Sequence, residues 1–405
     1  MAGKKKRYIL SVRYSTIQSV LVGLFITAGA IKPVFEYLNA PFDWTLVVFS
    51  LILGDILFAY CYFKNEVFLT REKLFAILPL IFFSALMVLS LLYTPSMSYG
   101  KEKTLLFGAP ILCFIYPLFL RKLNLDILNR LYLFAIVPII LWFISYKFLY
   151  YSPMNAGYSI VGIEFYDIRN KYLGLGMAIC FFTLLQVYIK KTPWLILLAF
   201  FLLLGLGSRG SLLFLLITLL IWKWKAILKI FQVGIRIGKK TTRILVFILV
   251  LVIPVLYFKF NQITQFLYLG LYRFKSLIGP GTDVSSQGRI SRMVFAIESI
   301  FSSPFTLIYG NGIGSFGLLY SGKDEREYPH NLFLEIWFEL GVIALVFFAF
   351  FLIMPFYFRR SDFPKVLVIC FLMHAMKSGD LTGLWTLFFV YGLLIFNPDY
   401  VFEKK

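Results

Sequence analysis

The sequence predicts an all-α, polytopic integral membrane protein with about twelve transmembrane helices and one long loop on the outer side. Three observations carry this. Of 405 residues, 60% are apolar and only 15% are charged, whereas an average soluble domain carries about 25% charged residues. Mean hydropathy is +0.83, so too little polar surface remains to solvate a chain of this length. Apolar runs close to the roughly 20 residues needed to cross a bilayer's hydrocarbon core recur from end to end. A secreted enzyme, a single-pass receptor and a nuclear factor are excluded.

The predicted spans are 15–31, 44–63, 74–92, 104–120, 131–150, 172–189, 194–207, 211–222, 244–260, 331–356, 365–377 and 383–398, all within one transmembrane domain, 1–405. The first run follows Lys4-Lys5-Lys6-Arg7 and contains Ala28-Gly29-Ala30, a pattern that also suits signal-peptide cleavage. The many later spans favour an uncleaved first helix with a cytoplasmic basic anchor. With the N-terminus inside, the cytoplasmic segments hold 25 of the 40 Lys and Arg residues. About half of the remainder falls in one long loop, where the positive-inside rule does not count it. An even number of spans then places both termini in the cytoplasm. The net charge of +20 is therefore a topology signal rather than a nucleic-acid footprint.

Two connections are more than turns. The inner segment 223–243 holds seven basic residues, and Trp224, Ile227, Phe231 and Ile235 share one helical face, which predicts a helix lying on anionic lipid. The outer loop, 261–330, places Ile263, Phe266, Leu267, Gly270, Leu271 and Phe274 on one face, again suiting an interfacial helix. Gly279-Pro280-Gly281 breaks that pattern, and a second helix is predicted over 289–302, ending before Pro304. Loops this long inside a compact membrane domain are usually functional, so any chemistry is expected on the outer face.

Few residues in so apolar a chain are equipped for chemistry. Arg209 lies between spans seven and eight, where a charge marks either a functional site or a side chain reaching for headgroups. Arg289 and Arg292, three apart, share a helical face at the start of a loop helix. They are either solvated loop charges or a fork for a diphosphate assisted by the helix N-terminus. His330, one of two histidines, sits in Tyr328-Pro329-His330-Asn331 where span ten begins. It is either a hydrogen-bonded helix-end residue or a group that takes a proton from a hydroxyl. Glu335 and Glu339 follow, four apart and on one face, as a structural polar pair or a cavity lining. His374, Lys377 and Asp380 form a further polar set at the outer end of span eleven. The four cysteines, Cys61, Cys113, Cys180 and Cys370, lie in apolar spans without metal-ligand spacing and read as small hydrophobes. Gly312-Ile313-Gly314-Ser315-Phe316-Gly317 satisfies a dinucleotide-binding pattern but lacks the βαβ context such binding needs, so its glycines read as tight turns. No internal repeat supports an inverted-repeat transporter.

Five stretches, in order and spaced from about 90 to 385, resemble the O-antigen ligase/polymerase family of bacterial membrane glycosyltransferases. They are Tyr93-Thr94-Pro95-Ser96 with Tyr99-Gly100 and Lys103; Ser208-Arg209-Gly210; Gly288-Arg289 with Gly310-Asn311-Gly312-Ile313-Gly314; Pro329-His330-Asn331 with Glu339-Leu340-Gly341; and Ser378-Gly379-Asp380. The fourth is the most specific. The resemblance implies a helical fold related to the polyprenyl-phosphate-using, GT-C type glycosyltransferases, in the bacterial inner (plasma) membrane with its active site facing the periplasm.

The donor it implies is a glycan on undecaprenyl diphosphate. The implied reaction is inverting and needs no metal or other cofactor. Carried over by position, Arg209 and Arg289 hold the diphosphate and His330 orients or deprotonates the acceptor hydroxyl. Arg292, Lys103, Glu339, Tyr328 and Asn331 contact diphosphate or glycan. The acceptor is a second glycan, if the chain is a polymerase, or lipid A core, if it is a ligase. The Tyr-Pro-His-Asn form and compact outer loop lean towards polymerase, which brings a chain-length regulator as a partner. Membrane lipid is the other partner; nucleic acid is not. A transporter or flippase of the lipid-linked glycan would use the same arginines without a base.

Overall fold

A computed structural model describes residues 2–63, 70–121, 123–141, 172–189, 194–206, 208–233, 284–358 and 362–396. Among the described residues the regular structure is helical throughout. The chain divides into two compact units, Met1–Leu133 with Thr282–Lys405, and Phe134–Gly281.

The first unit opens with α1 (Ala2–Ile26), α2 (Ala28–Tyr37), α3 (Trp44–Phe63), α4 (Arg71–Leu89), α5 (Tyr99–Leu106), α6 (Gly108–Ile115) and α7 (Leu125–Leu131). The second contains α8 (Tyr172–Ile189), α9 (Trp194–Leu206) and α10 (Arg209–Val233). The first then resumes with α11 (Val284–Ile300), α12 (Pro304–Tyr309), α13 (Ser315–Ser321), α14 (Leu332–Phe358), α15 (Asp362–Ser378) and α16 (Trp385–Phe396).

Among the described residues four stretches are long and apolar enough to cross a membrane: Trp44–Tyr62, Arg71–Leu92, Tyr99–Phe119 and Leu332–Tyr357. They coincide with the expected spans 44–63, 74–92, 104–120 and 331–356. Tyr14–Ile26 and Ala28–Glu36 make a fifth if the 62° bend between them lies within one span. At that bend the Gly23 carbonyl accepts from both the Thr27 hydroxyl at 2.7 Å and the Thr27 N–H at 3.1 Å. The expected spans 172–189 and 383–398 correspond to the shorter apolar helices Gly174–Ile189 and Trp385–Phe396. Those at 194–207, 211–222 and 365–377 fall within α9, α10 and α15. Span 244–260, most of 131–150 and the expected interfacial helix over 263–274 lie outside the described residues. α10 runs from its apolar half into the basic stretch as far as Val233 without a break; 234–243 lies outside the described residues.

The core of the first unit is aromatic. Phe25 of α1 meets Phe389 of α16 at 5.0 Å between ring centroids. Phe107 meets Phe83 and Phe388 edge to face at 5.8 and 5.5 Å, an arrangement ring quadrupoles favour. Gly392 lets α16 approach α6 closely, because a Cβ there would run into the Phe114 carbonyl. One acid is buried among these helices with its needs met. Asp55 of α3 accepts from Tyr14 Oη at 2.7 Å and from Gln18 Nε2 at 3.1 Å, as an intramembrane carboxylate must.

α14 is not one straight rod. Gly341 has φ 76° and ψ 178°, a backbone region essentially restricted to glycine. The rings of Phe333 and Phe348 lie 6.4 Å apart, whereas a straight helix would separate their Cα atoms by about 22 Å. The chain therefore turns sharply at Gly341, and the first half of α14, up to Leu340, is set apart from the second. Gly341→Ala is expected to lower stability by more than the ~1–3 kcal/mol of such backbone strain, because the added Cβ would also overlap the Ile308 carbonyl. Thermal unfolding of detergent-purified protein checks this; an unchanged midpoint would remove the requirement for the turn.

Candidate functional site

The break at Gly341 leaves carbonyls at the end of the first half of α14 without helical partners, and the loop after α12 takes them. Asn311 N–H donates to the Phe338 carbonyl at 2.8 Å and Gly312 N–H to the Glu339 carbonyl at 2.8 Å. Asn311 Nδ2 adds a second bond to Phe338 at 3.1 Å. Gly310, φ 78°, presses on the Glu339 backbone so closely that no Cβ fits. The Gly-Asn-Gly-Ile-Gly and Glu-Leu-Gly stretches thus form one interlocked turn. The segment after α4 closes over it: Thr94 Oγ1 donates to the Ile313 carbonyl at 2.8 Å, and Ile313 N–H donates to Ser90 Oγ at 3.2 Å. The glycines of the apparent dinucleotide motif therefore serve close backbone approach, with α13 following directly.

Beneath this turn lies a sealed ion triad. Lys103 Nζ of α5 is 2.6 Å from Glu335 Oε1 and 2.7 Å from both Glu339 oxygens. All three side chains are essentially without solvent exposure. Leu381 N–H also donates to Glu335 Oε1 at 3.2 Å. Lys103 and Glu339, expected among the substrate contacts, are instead spent on each other, and they join α5, the first half of α14 and the 381 turn. A second pair stands nearby. Arg326 Nε and Nη2 fork onto Asp380 Oδ2 and Oδ1 at 2.9 and 3.1 Å. Thr382 Oγ1 and Gly383 N–H complete the Asp380 shell at 2.8 and 3.1 Å. Burial alone would raise the Asp380 carboxyl, but the Arg326 guanidinium holds it below its ordinary value.

His330 stands at the entrance to α14. Asn331 is the helix cap, its Oδ1 accepting from Phe333 and Leu334 N–H at 3.0 and 3.1 Å. That cap, rather than open space, is where the Asn331 side-chain oxygen is spent. His330 itself has φ 57°, uncommon for a residue with a Cβ and characteristic of constrained sites. Its ring meets Tyr328 at 4.5 Å, and its Nδ1 is buried with no hydrogen-bond partner among the described residues. Burial, then Arg289 and Arg292, lower its pKa from 6.5 to about 4 against a weaker opposing pull from Asp380. Imidazole is consequently neutral at physiological pH with a lone pair to offer. Burial, aided by Asp380, pushes the Tyr328 phenol up to about 12, so it stays a protonated donor.

Arg289 and Arg292 belong to α11, which begins at Val284. The helix thus starts five residues earlier than expected. The arginines sit in its interior rather than at its N-terminus, and the helix-end contribution foreseen for them is absent. Arg292 lies over the Tyr320 ring at 5.4 Å and 3.9 Å from Glu327. Arg209 is the first residue of α10 in the second unit. Its neighbours Ser208 and Ser211 bond at 2.8 Å between hydroxyls, against Gly176 of α8. Four of the five stretches singled out in the sequence thus converge in the first unit, and Ser208-Arg209-Gly210 belongs to the second. Arg326 and Tyr320 escaped sequence reading. Arg326 sits in a run of alternating loop charges, and nothing local marks the one that reaches Asp380.

Residues 194–349 match the family model Wzy_C, described as O-antigen ligase. The matched segment, less than half of the chain, is similar to that family. Arg209, Arg289, Arg292, Tyr328, His330, Asn331 and Glu339 all lie within the matched segment; Lys103 and Asp380 lie outside it. No curated protein matches the chain, and no solved structure does. Among the described residues the long apolar helices fit a membrane-spanning chain.

The folded chain resists protonating His330. Unfolding therefore takes up a proton between about pH 4 and 6.5, and stability falls as pH drops through that window. Nuclear magnetic resonance of labelled histidine in the purified protein is expected to place the His330 midpoint near 4, moving up in Arg289→Ala. A midpoint at 6.5 in both would mean that the imidazole is solvated.

Proposed function

We propose that this chain transfers a glycan from undecaprenyl diphosphate to an acceptor hydroxyl on the periplasmic face of the inner membrane. The observation that carries the reading is the neutral, half-buried imidazole of His330, whose Nδ1 has no hydrogen-bond partner among the described residues, held in the field of Arg289 and Arg292.

In this reading the acceptor oxygen attacks the anomeric carbon as His330 takes its proton. The bond from that carbon to the diphosphate oxygen breaks, and the electron pair leaves with the diphosphate. Attack from the face opposite the leaving group inverts the anomeric centre. Arg289 holds the diphosphate, a role that the resemblance alone also gives to Arg209, and fixed guanidinium groups stabilise the charge that develops on it, without calling on a metal. Arg292, braced by Tyr320 and Glu327, adds to that field. Tyr328 donates to the glycan, and Asn331 fixes the helix that carries His330. Lys103 and Glu339 act as positioning residues, since both are sealed from solvent. An apolar cavity of about 350 Å³ lined by Phe333, Leu352, Ile353, Phe356, Leu372 and Tyr391 suits part of the isoprenoid. The reading also places the fold beside the polyprenyl-phosphate-using, GT-C type enzymes.

Polymerisation of lipid-linked repeats is the specific activity proposed, from the Tyr-Pro-His-Asn form and the compact outer loop, with a chain-length regulator as partner. Ligation of a finished chain to lipid A core is the second reading, favoured by the description of the matching family. A flippase needs the arginines but no base.

Surface glycans of a deletion strain complemented with variants separate these. His330→Ala is expected to lower transfer by ~10²–10⁴-fold, the usual worth of a general base. Arg289→Lys is expected to rescue poorly, because an ammonium cannot fork. In the deletion strain, single repeats on core mean polymerase, and full chains stranded on undecaprenyl diphosphate mean ligase. Normal ladders from His330→Ala and Arg289→Ala would sink the transferase assignment.

A further inference from the structure

α11 has two apolar faces, and the site uses only one. Its inner face buries Ala296 and Ile300 with Phe316 of α13 and Phe338 of α14. On the opposite side Ile290, Val294, Ile297 and Phe301 are 55%, 46%, 44% and 63% exposed. Their spacing of four, three and four residues keeps them in one stripe along the helix. Gln287, Ser291 and Glu298 form a polar flank roughly a quarter turn away. A soluble protein does not display such a row, and exposed apolar surface of this extent marks an interaction site.

The stripe does not stand alone. It continues onto α12 through Phe305 and Tyr309, both about half exposed. Phe305 meets Tyr93 edge to face at 5.6 Å, and Tyr93 Oη donates to the Tyr309 carbonyl at 2.6 Å. Tyr93 directly follows the candidate span Arg71–Leu92, whose Ile81, Val88 and Leu92 are themselves exposed. The exposed apolar surface of α11 and α12 is thus continuous with that of this candidate span. Tyr93, Tyr309 and Trp337 gather where that span ends, as amphipathic aromatics do at a bilayer's edge. Trp337 lies 5.6 Å from Phe301 at the far end of the stripe.

We infer that α11 and α12 form a monotopic element seated in the outer interfacial layer of the bilayer, with Ile290, Val294, Ile297 and Phe301 among the acyl chains and Glu298 towards water. The occupant of this face is lipid. The element fixes the depth of Arg289 and Arg292, which project from other sides of the same helix. A consequence for transfer, that the arginines lie level with a lipid-borne diphosphate, rests on the proposed function; the depth of the helix does not.

The test is site-directed fluorescence in the full-length chain. Cys61 is exposed and the other three cysteines are buried, so Cys61→Ser gives the background. Ile297→Cys and Glu298→Cys, one residue and about a quarter turn apart, carry an environment-sensitive dye in phosphatidylethanolamine and phosphatidylglycerol vesicles. The Ile297 label is expected to emit to the blue. Lipid bearing a doxyl group high on its acyl chain should quench it, and iodide should quench it several-fold less than the Glu298 label. Val294→Cys serves in the same way should Ile297→Cys fail to keep the parent's unfolding midpoint. Equal iodide quenching at both positions would overturn the inference, because the stripe would face water. Shielding of the Ile297 label from both iodide and doxyl lipid would also overturn it, because a protein surface would then cover the stripe. Either result leaves the glycan profiles of the His330 and Arg289 variants free to decide the transferase reading.

Discussion

A lysine held between two glutamates and sealed from solvent is the constraint on which the first unit depends. Lys103 reaches Glu335 and Glu339 at 2.6–2.7 Å, and taking such charges out of water costs several kcal/mol per ion unless geometry repays it. Removing one partner strands the others, at about 3–5 kcal/mol for a buried pair. The register of α5 against the first half of α14 is therefore specified tightly: a slip of one residue would leave a buried charge uncompensated. The 381 turn is tied in through Leu381 N–H, and Asp380, one residue earlier, receives Arg326. Chemistry-bearing loops are assembled on this frame, rather than on the apolar helices, whose packing tolerates sliding far better.

Backbone geometry transmits that constraint to the surface. The turn at Gly341 ends the first half of α14 nine residues after it starts, and its freed carbonyls capture Asn311 and Gly312. At the other end Asn331 caps the helix and His330 is forced to positive φ. One short helical segment, locked at both ends and pinned from beneath, thus presents a strained imidazole. Rigid support of this kind is what an active group requires if its geometry is to survive thermal motion. Electrostatics then act on a fixed target: burial first, then Arg289 and Arg292, hold the His330 pKa down. An imidazole in open solvent beside two arginines would be screened within a Debye length; half-buried, it is not.

Much of this was legible in the residues. Apolar runs follow from the cost of exposing backbone and hydrocarbon, which depends on composition alone, so the spans at 44–63 and 74–92 are read directly, whereas the break at Gly341 within 331–356 is not. The outstanding polar residues, His330, Arg289, Glu335 and Glu339, are conspicuous because charges are expensive in such a chain, and all four lie within the segment 194–349 that matches the family model. Lys103 was visible as a charge but not as the partner of residues more than 230 positions away. Arg326 and Asp380 are separated by 54 positions, and no local pattern couples them.

Composition, hydrophobic period and the rarity of charge determined the membrane character, the helices and the short set of residues able to do chemistry, because each depends on transfer free energies of single side chains. Tertiary structure alone decided which charges neutralise one another, that Lys103 and Glu339 face inward, that α11 begins at Val284, and that His330 Nδ1 finds no partner among the described residues. Those outcomes depend on distances between segments far apart in the chain, and pairing energy in a low-dielectric interior falls with separation in space, not in sequence.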